Sequence, residues 1–418
     1  MARLLIDQSP PLRGRVRISG AKNSVLPILA ATLLADGKSY IDEIPRLQDV
    51  WIMQELLEEL GAKTHCYKNS IEVCANNLTH YEAPYELVRQ MRASFLVMGP
   101  LLVRLGRTKI PLPGGCAIGN RPVDLHLKGF EAMGAEISQE NGYVQAKADQ
   151  LKGARIYLDF PSVGATENIM MAATLAEGQT TIENAAVEPE VVDLANYLNA
   201  MGAIVRGAGT DTIKITGVSS LTGASHSVIP DRIEAGTFMV AAAITGGDLY
   251  LENILSSHLK PIIAKLRESN VQITETEQGL HVCTNGRLIQ STDIKTLPYP
   301  GFPTDMQAQL MSLMCIAQGT SVITETIFEN RFMHVGELKR MGADIKIESR
   351  SAVIHGVPNL TGTQVRATDL RAGAALVLCG LVAEGTTEIQ DSYHIERGYE
   401  DIEIKFKNIG ANIQKLDI

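Results

Sequence analysis

A short phrase that closes a helix and opens a strand recurs six times in this chain: LGAK at 60–63, MGAE at 133–136, MGAI at 201–204, SNVQ at 269–272, MGAD at 341–344 and IGAN at 409–412. With Gly61, Gly134, Gly202, Asn270, Gly342 and Gly410 as markers, the steps are 73, 68, 68, 72 and 68 residues. Self-similarity at a near-constant period means one supersecondary unit repeated, and it governs every later assignment. Each unit has the same plan. An apolar run predicts a helix (25–35, 95–105, 168–176, 237–245, 307–317 and 372–383). A glycine and a β-rich stretch follow, then a loop and an amphipathic helix such as 50–60 or 335–341. The marker closes that helix, where a positive φ suits glycine.

The first helix of each unit is apolar nearly all round and rich in Ala, Gly and Met, so it should be buried on every side. The strands alternate and can face solvent on one side. The fold class is therefore α/β, with sheets outside and small-residue helices at the centre. Six units are too many for one axis of this size, so two groups of three are expected. The expected domains are 22–229, and 1–21 with 230–418, punctuated at Pro230, with a strand at 15–19 completing the second group and a cleft between the two.

Composition narrows the function classes. Lys and Arg total 38 against 47 Asp and Glu, a net charge of −9, and aromatics are only 5%. Neither a basic nucleic-acid surface nor a base-stacking platform fits those figures. The longest apolar runs, 236–247 and 372–383, are 12 residues each. A membrane-spanning helix needs about 20. The N-terminus lacks the apolar region of a signal peptide. A cytoplasmic location with no membrane span is expected. The six cysteines (Cys66, Cys74, Cys116, Cys283, Cys315 and Cys379) show no metal-ligand spacing and read as free thiols, with no metal and no cofactor implied. Nothing in the pattern predicts an oligomer.

Helix starts carry the chemistry. Free N–H groups and a partial positive charge there suit anions. At or before the starts of the apolar helices stand Lys22 and Asn23, Arg92, Ser162 to Thr166, Arg232, Asp305, and Asp369 with Arg371. The strand-to-helix loops add Cys116 and Arg121, Glu188, Arg331, and His394 with Arg397. For any one arginine, a surface ion pair or a cap is the commoner explanation. As a set they recur in register with the repeat, and equivalent ends of a repeated fold point the same way. Residues 111–122 hold three Gly and three Pro around Cys116. That segment excludes a regular helix or central strand, and nearby positive charge would raise the reactivity of the thiol. No nucleotide-binding glycine motif stands in a strand–turn–helix setting.

The blocks ISGAKNSVLPILAATLL (18–34), LPGGCAIGNRPVDLH (112–126), PSVGATENIMMAATLAEG (161–178), EPEVVDLANYL (188–198), PDRIEAGTF (230–238), FPTDMQAQ (302–309), TETIFENRFMHV (324–335), ATDLRAGAALVL (367–378) and HIERGYE (394–400) closely resemble the UDP-N-acetylglucosamine enolpyruvyl transferases. The resemblance runs from near residue 15 to the C-terminus. It implies a two-domain inside-out α/β barrel with three repeats per domain. It also implies transfer of the enolpyruvyl group of phosphoenolpyruvate to the 3′-hydroxyl of UDP-N-acetylglucosamine, through a tetrahedral ketal and with release of phosphate. That reaction opens peptidoglycan synthesis.

Carried over by motif, the resemblance places Lys22, Arg121 and Arg397 on the phosphate of phosphoenolpyruvate, Arg331 and Arg371 on its carboxylate, and Asn23 beside it. Asn23, Arg92, Arg121, Pro122, Val123, Asp124, Leu125, Ser162, Val163, Gly164, Asp305 and Ile327 are implied to line the UDP-sugar site. Asp305 would be the general base and Cys116 the proton donor. Two alternatives stay open. The sister transferase acting on shikimate 3-phosphate is disfavoured by the loop GGCAIGNRP and the block RPVDL. A catalytically silent UDP-sugar sensor is disfavoured by the joint presence of Lys22, Cys116, Asp305 and Arg397.

Overall fold

The computed structural model describes residues 3–112, 119 and 123–416. Cys116, Arg121 and Pro122 lie outside the described residues. The chain changes compact unit between Ser19 and Gly20 and again between Ile229 and Pro230. The middle unit lies between those points, and the terminal unit holds both chain ends.

The repeat is a structural unit with a defined exit. All six marker residues have positive φ: Gly61 103°, Gly134 93°, Gly202 103°, Asn270 69°, Gly342 93° and Gly410 98°. At each, the marker N–H donates to the carbonyl three residues back. The next residue's N–H donates five back, as in Ala62 to Leu57, Ala135 to Phe130, Ala203 to Leu198, Val271 to Leu266, Ala343 to Leu338 and Ala411 to Phe406. These are Schellman motifs, which satisfy the last carbonyls of a helix. The small residue after each marker is buried, which seats the following strand on the core.

In the middle unit, the sheet of the first repeat runs Ser225–Ser227, Lys38–Asp42, Ser70–Cys74, Lys63–Cys66. That of the second runs Arg107–Pro111, Tyr143–Lys147, Glu136–Glu140. That of the third runs Arg155–Tyr157, Gln179–Glu183, Thr212–Thr216, Ile204–Arg206. Within each, the strand after the apolar helix pairs antiparallel with a hairpin. Ser225–Ser227 comes from the end of the third repeat and pairs parallel with Lys38–Asp42 of the first, which links the trio into a ring.

The terminal unit repeats the scheme. Arg13–Arg17 pairs parallel with Asp248–Glu252. Ile294–Lys295 pairs parallel with Thr320–Thr324. The last sheet differs: its order is Gln364–Arg366, Thr386–Gln390, Arg3–Asp7, Ile413–Leu416. The chain ends after one hairpin strand, and the N-terminal strand supplies the other, antiparallel to both neighbours.

The apolar helices sit inside these sheets. All 13 residues of Arg232–Ile244 are buried, as are all but Leu370 in Leu370–Gly380. Small residues let them touch: Ser312 donates to Ala375 O across the Gln307–Met314 and Leu370–Gly380 pair at 2.9 Å. The second helices bury one face, as in Gln48–Glu59, which buries Met53 and Leu56 and leaves Trp51 exposed. The architecture is mixed α/β with helices inside, and among the described residues no sheet closes into a barrel. No helix among them is long and apolar enough to cross a membrane.

Candidate active site

In the terminal unit the sequence-predicted residues come together. Asp305 lies in the 3₁₀ turn Thr304–Met306 that leads into Gln307–Met314. Arg331 lies in the turn before Val335–Arg340, and Arg371 in the first turn of Leu370–Gly380. Three different repeats therefore deliver these groups from equivalent ends. Arg331 Nη2 donates to Asp305 Oδ1 at 2.7 Å. Arg371 Nη2 and Nε donate to Oδ2 at 3.0 and 3.3 Å. Both arginines are buried and Asp305 is partly exposed. Burial works against ionisation of Asp305, but the charges of Arg371 and then Arg331, with their hydrogen bonds, hold its carboxyl well below the usual carboxylate range.

The guanidinium pair is held by its surroundings. Arg331 Nη1 donates to Thr304 Oγ1 at 2.9 Å, and Thr304 donates on to Glu325 Oε2 at 2.8 Å. Buried Glu325 also accepts from Thr296 Oγ1 at 2.8 Å and from the N–H groups of Ile327 and Phe328 at 2.8 and 3.2 Å. Those bonds shape the loop that carries Ile327 and Arg331. Arg371 lies over the Tyr399 ring, 5.5 Å from its centroid. The Tyr399 hydroxyl is within 2.8 Å of Thr237 Oγ1, and Gln309 Nε2 reaches it at 3.1 Å. Asp369 caps the helix through the N–H groups of Arg371 and Ala372, at 2.8 and 3.0 Å. Two planar cations around one carboxylate make a bidentate carboxylate receptor. Arg397 is half-buried just after the helix Tyr393–Glu396.

In the middle unit Lys22 opens the helix Lys22–Ala31, and its Nζ lies 2.7 Å from Asp49 Oδ2 in the first turn of Gln48–Glu59. Asn23 is exposed beside it. Ser162 caps Val163–Ala173 by accepting from Ala165 N. Val163 and Gly164 form the first turn, half-buried. Val123 is buried, and Asp124 and Leu125 begin the helix Asp124–Ala132. Gly164 meets His126: a Cβ there would lie 3.3 Å from His126 Cε1 and 3.5 Å from Nε2. Burial, and then the charge of Arg92, push the His126 imidazole down to about 3, so the ring is neutral at ordinary pH. His126, Glu325 and Tyr399 are parts of these arrangements that sequence reasoning missed. A single buried His or Glu carries no spacing signal, although His126 stands inside a quoted block.

The family model for EPSP synthase (3-phosphoshikimate 1-carboxyvinyltransferase) matches residues 6–406. The chain is 61% identical over 413 residues to UDP-N-acetylglucosamine 1-carboxyvinyltransferase 1 of Caldanaerobacter subterraneus subsp. tengcongensis, covering 99% of both chains. It is 59% identical to UDP-N-acetylglucosamine 1-carboxyvinyltransferase 2 of Carboxydothermus hydrogenoformans over the whole of both. The fold matches the crystal structure of the enolpyruvyl transferase NikO from Streptomyces tendae with a TM-score of 0.90 at 24% identity, over 99% of this chain and 98% of that one. It matches EPSP synthase from Acinetobacter baumannii with a TM-score of 0.78 at 19% identity over the whole of both. Six repeats, a guanidinium pair built for a carboxylate and full-length identity to carboxyvinyltransferases agree: the chain belongs to the EPSP synthase family of enolpyruvyl transferases, with the UDP-N-acetylglucosamine 1-carboxyvinyltransferases as its near relatives.

Proposed function

We propose that the chain transfers the enolpyruvyl group of phosphoenolpyruvate to the 3′-hydroxyl of UDP-N-acetylglucosamine and releases phosphate, the step that commits the sugar nucleotide to peptidoglycan. End-to-end identity of about three residues in five to enzymes of that name carries the reading. Residues 22–229, and 1–21 with 230–418, act on this reading as its two domains. Arg331 and Arg371 take the carboxylate of phosphoenolpyruvate. Lys22, Arg121 and Arg397 take its phosphate, with Asn23 beside it. Arg92, Arg121 to Leu125, Ser162 to Gly164, Asp305 and Ile327 serve the sugar nucleotide.

The geometry around Asp305 gives the general-base role a condition. A carboxylate held far below its ordinary range is a weak base. Phosphoenolpyruvate brings a carboxylate that competes for the same two guanidiniums. Once they turn to the substrate, the carboxyl of Asp305 rises toward its ordinary range and can take the 3′-hydroxyl proton. The alkoxide oxygen bonds to C2 of phosphoenolpyruvate while Cys116 gives its thiol proton to C3, which forms the ketal. Loss of a proton from C3 and departure of phosphate from C2 then restore the double bond.

Phosphate release from phosphoenolpyruvate tests the reading. UDP-N-acetylglucosamine should support it and shikimate 3-phosphate should not. The opposite preference would assign the chain to the sister reaction. Cys116→Ala should lose most turnover, whereas Cys116→Asp should keep activity and resist alkylation by an epoxide phosphonate, because a carboxyl also donates a proton.

A further inference from the structure

The ring of His126 is fixed by a chain of bonds that leaves one reading of its protons. Asn168 sits in the helix Val163–Ala173 with its side chain fully buried. Its Oδ1 accepts from the backbone N–H of Gly99 at 2.8 Å, and its Nδ2 lies 3.0 Å from the carbonyl of Phe95. A backbone N–H can only donate and a carbonyl can only accept, so the two contacts fix which way the amide points. Nδ2 also lies 3.1 Å from His126 Nδ1. Because Nδ2 is a donor, Nδ1 must accept, and the single proton of the neutral ring sits on Nε2.

That N–H has somewhere to go. His126 is 8% exposed, and its Nε2 has no hydrogen-bond partner among the described residues. It lies against Gly164, where the first-turn N–H groups of Val163 and Gly164 have no acceptor within their own helix. A side chain at position 164 would crowd the ring, so glycine keeps the nitrogen open. Gly99 is needed for the same assembly, because a Cβ there would stand 2.4 Å from Asn168 O. Phe95 meets the imidazole edge-on at 5.1 Å, which fixes the ring plane.

We infer that His126, locked by Asn168 as the Nε2–H tautomer, is a neutral hydrogen-bond donor to the diphosphate of the sugar nucleotide at the start of the Val163–Ala173 helix. The inference rests on the UDP-sugar reading and adds a binding residue to it. A neutral donor neither gains nor loses charge between pH 6 and 9, so it orients the anion without making its binding pH-dependent.

Nitrogen-15 NMR of the full-length chain labelled at histidine reads the tautomer directly. We expect a neutral His126 protonated on Nε2 at pH 7, and a shift of the Nε2 resonance when UDP-N-acetylglucosamine is added. In steady-state kinetics, His126→Phe keeps the packing on Phe95 and removes the donor. It should raise KM for UDP-N-acetylglucosamine about 10- to 100-fold, the usual scale for a hydrogen bond to a charged group, and leave KM for phosphoenolpyruvate unchanged. His126→Gln, which keeps an N–H donor, should recover most of the loss. An Nδ1-protonated or doubly protonated ring, or an unchanged KM in His126→Phe, would overturn the inference. So would equal rises in both KM values without rescue by Gln. Turnover with no Nε2 shift sinks this inference alone, whereas an Nε2 shift without turnover sinks the catalytic reading alone. If His126→Phe does not fold, the NMR titration of the unsubstituted chain decides.

Discussion

Glu167 shows what an unpaired carboxyl does inside the middle unit. It is buried, its Oε1 has no partner, and burial, followed by the charges of Glu190 and Glu188, raises its carboxyl well above the ordinary value. A raised folded-state value means that the folded chain keeps a proton which the unfolded chain has lost. Stability then falls as pH rises from the ordinary carboxylate range through the raised value. Glu167→Gln should flatten that fall, so its melting temperature should overtake that of the parent chain with rising pH. Parallel curves from pH 5 to 9 would contradict this. Asp305 works in the opposite sense, since its depressed carboxyl stays charged at all ordinary pH. Asp305→Asn should lower kcat by roughly 10² to 10⁴, the usual worth of a general base. It should also tighten phosphoenolpyruvate binding, because the two guanidiniums no longer have an internal competitor. A rise in KM for phosphoenolpyruvate would argue against the competition. At this scale the sequence was partly legible. Asp305, Arg331 and Arg371 were marked by their register at helix starts. Asn168 and His126 were not, because their meaning lies in contacts 69 and 42 residues away.

The repeating element was legible because its chemistry is local. A Schellman exit needs one residue of positive φ and a small apolar residue after it, and both stand next to each other in sequence. Gly202 illustrates the constraint: φ is 103° and nothing lies within 4 Å of an added Cβ. Gly202→Ala meets no steric neighbour, so its cost is backbone strain alone, about 1–2 kcal/mol. Asn270→Gly at the equivalent place should cost under about 1 kcal/mol, since that turn already tolerates either residue. Urea denaturation of the two variants reads the difference, and equal losses would mean that the exit is not the element that counts. What the repeat could not reveal was the sixth sheet. Its middle strand is Arg3–Asp7, more than 370 residues from the strand it pairs with at 386–389, and nothing local announces so distant a partner.

Across the whole molecule, that strand ties the first described residues to the last. Leu4 and Ile6 are buried, Asp7 N–H donates to Asn412 O at 2.9 Å, and Arg3 pairs with Glu388 at 2.8 Å. Deleting residues 1–8 should leave Thr386–Gln390 and Ile413–Leu416 with facing, unpaired edges, and exposed strand edges promote aggregation. The truncated chain should therefore lose solubility and melt lower, and an unchanged melting temperature would show the strand to be dispensable. The middle unit depends on nothing beyond Ile229 for its own sheets. This arrangement sets a timetable for synthesis. The middle unit can complete itself while the ribosome is still at work, since its residues emerge consecutively and domains fold as units. The terminal unit cannot. Its first strand leaves the ribosome at the outset and must wait, unpaired, until the last strand emerges, so the protein is complete only after the chain has been released.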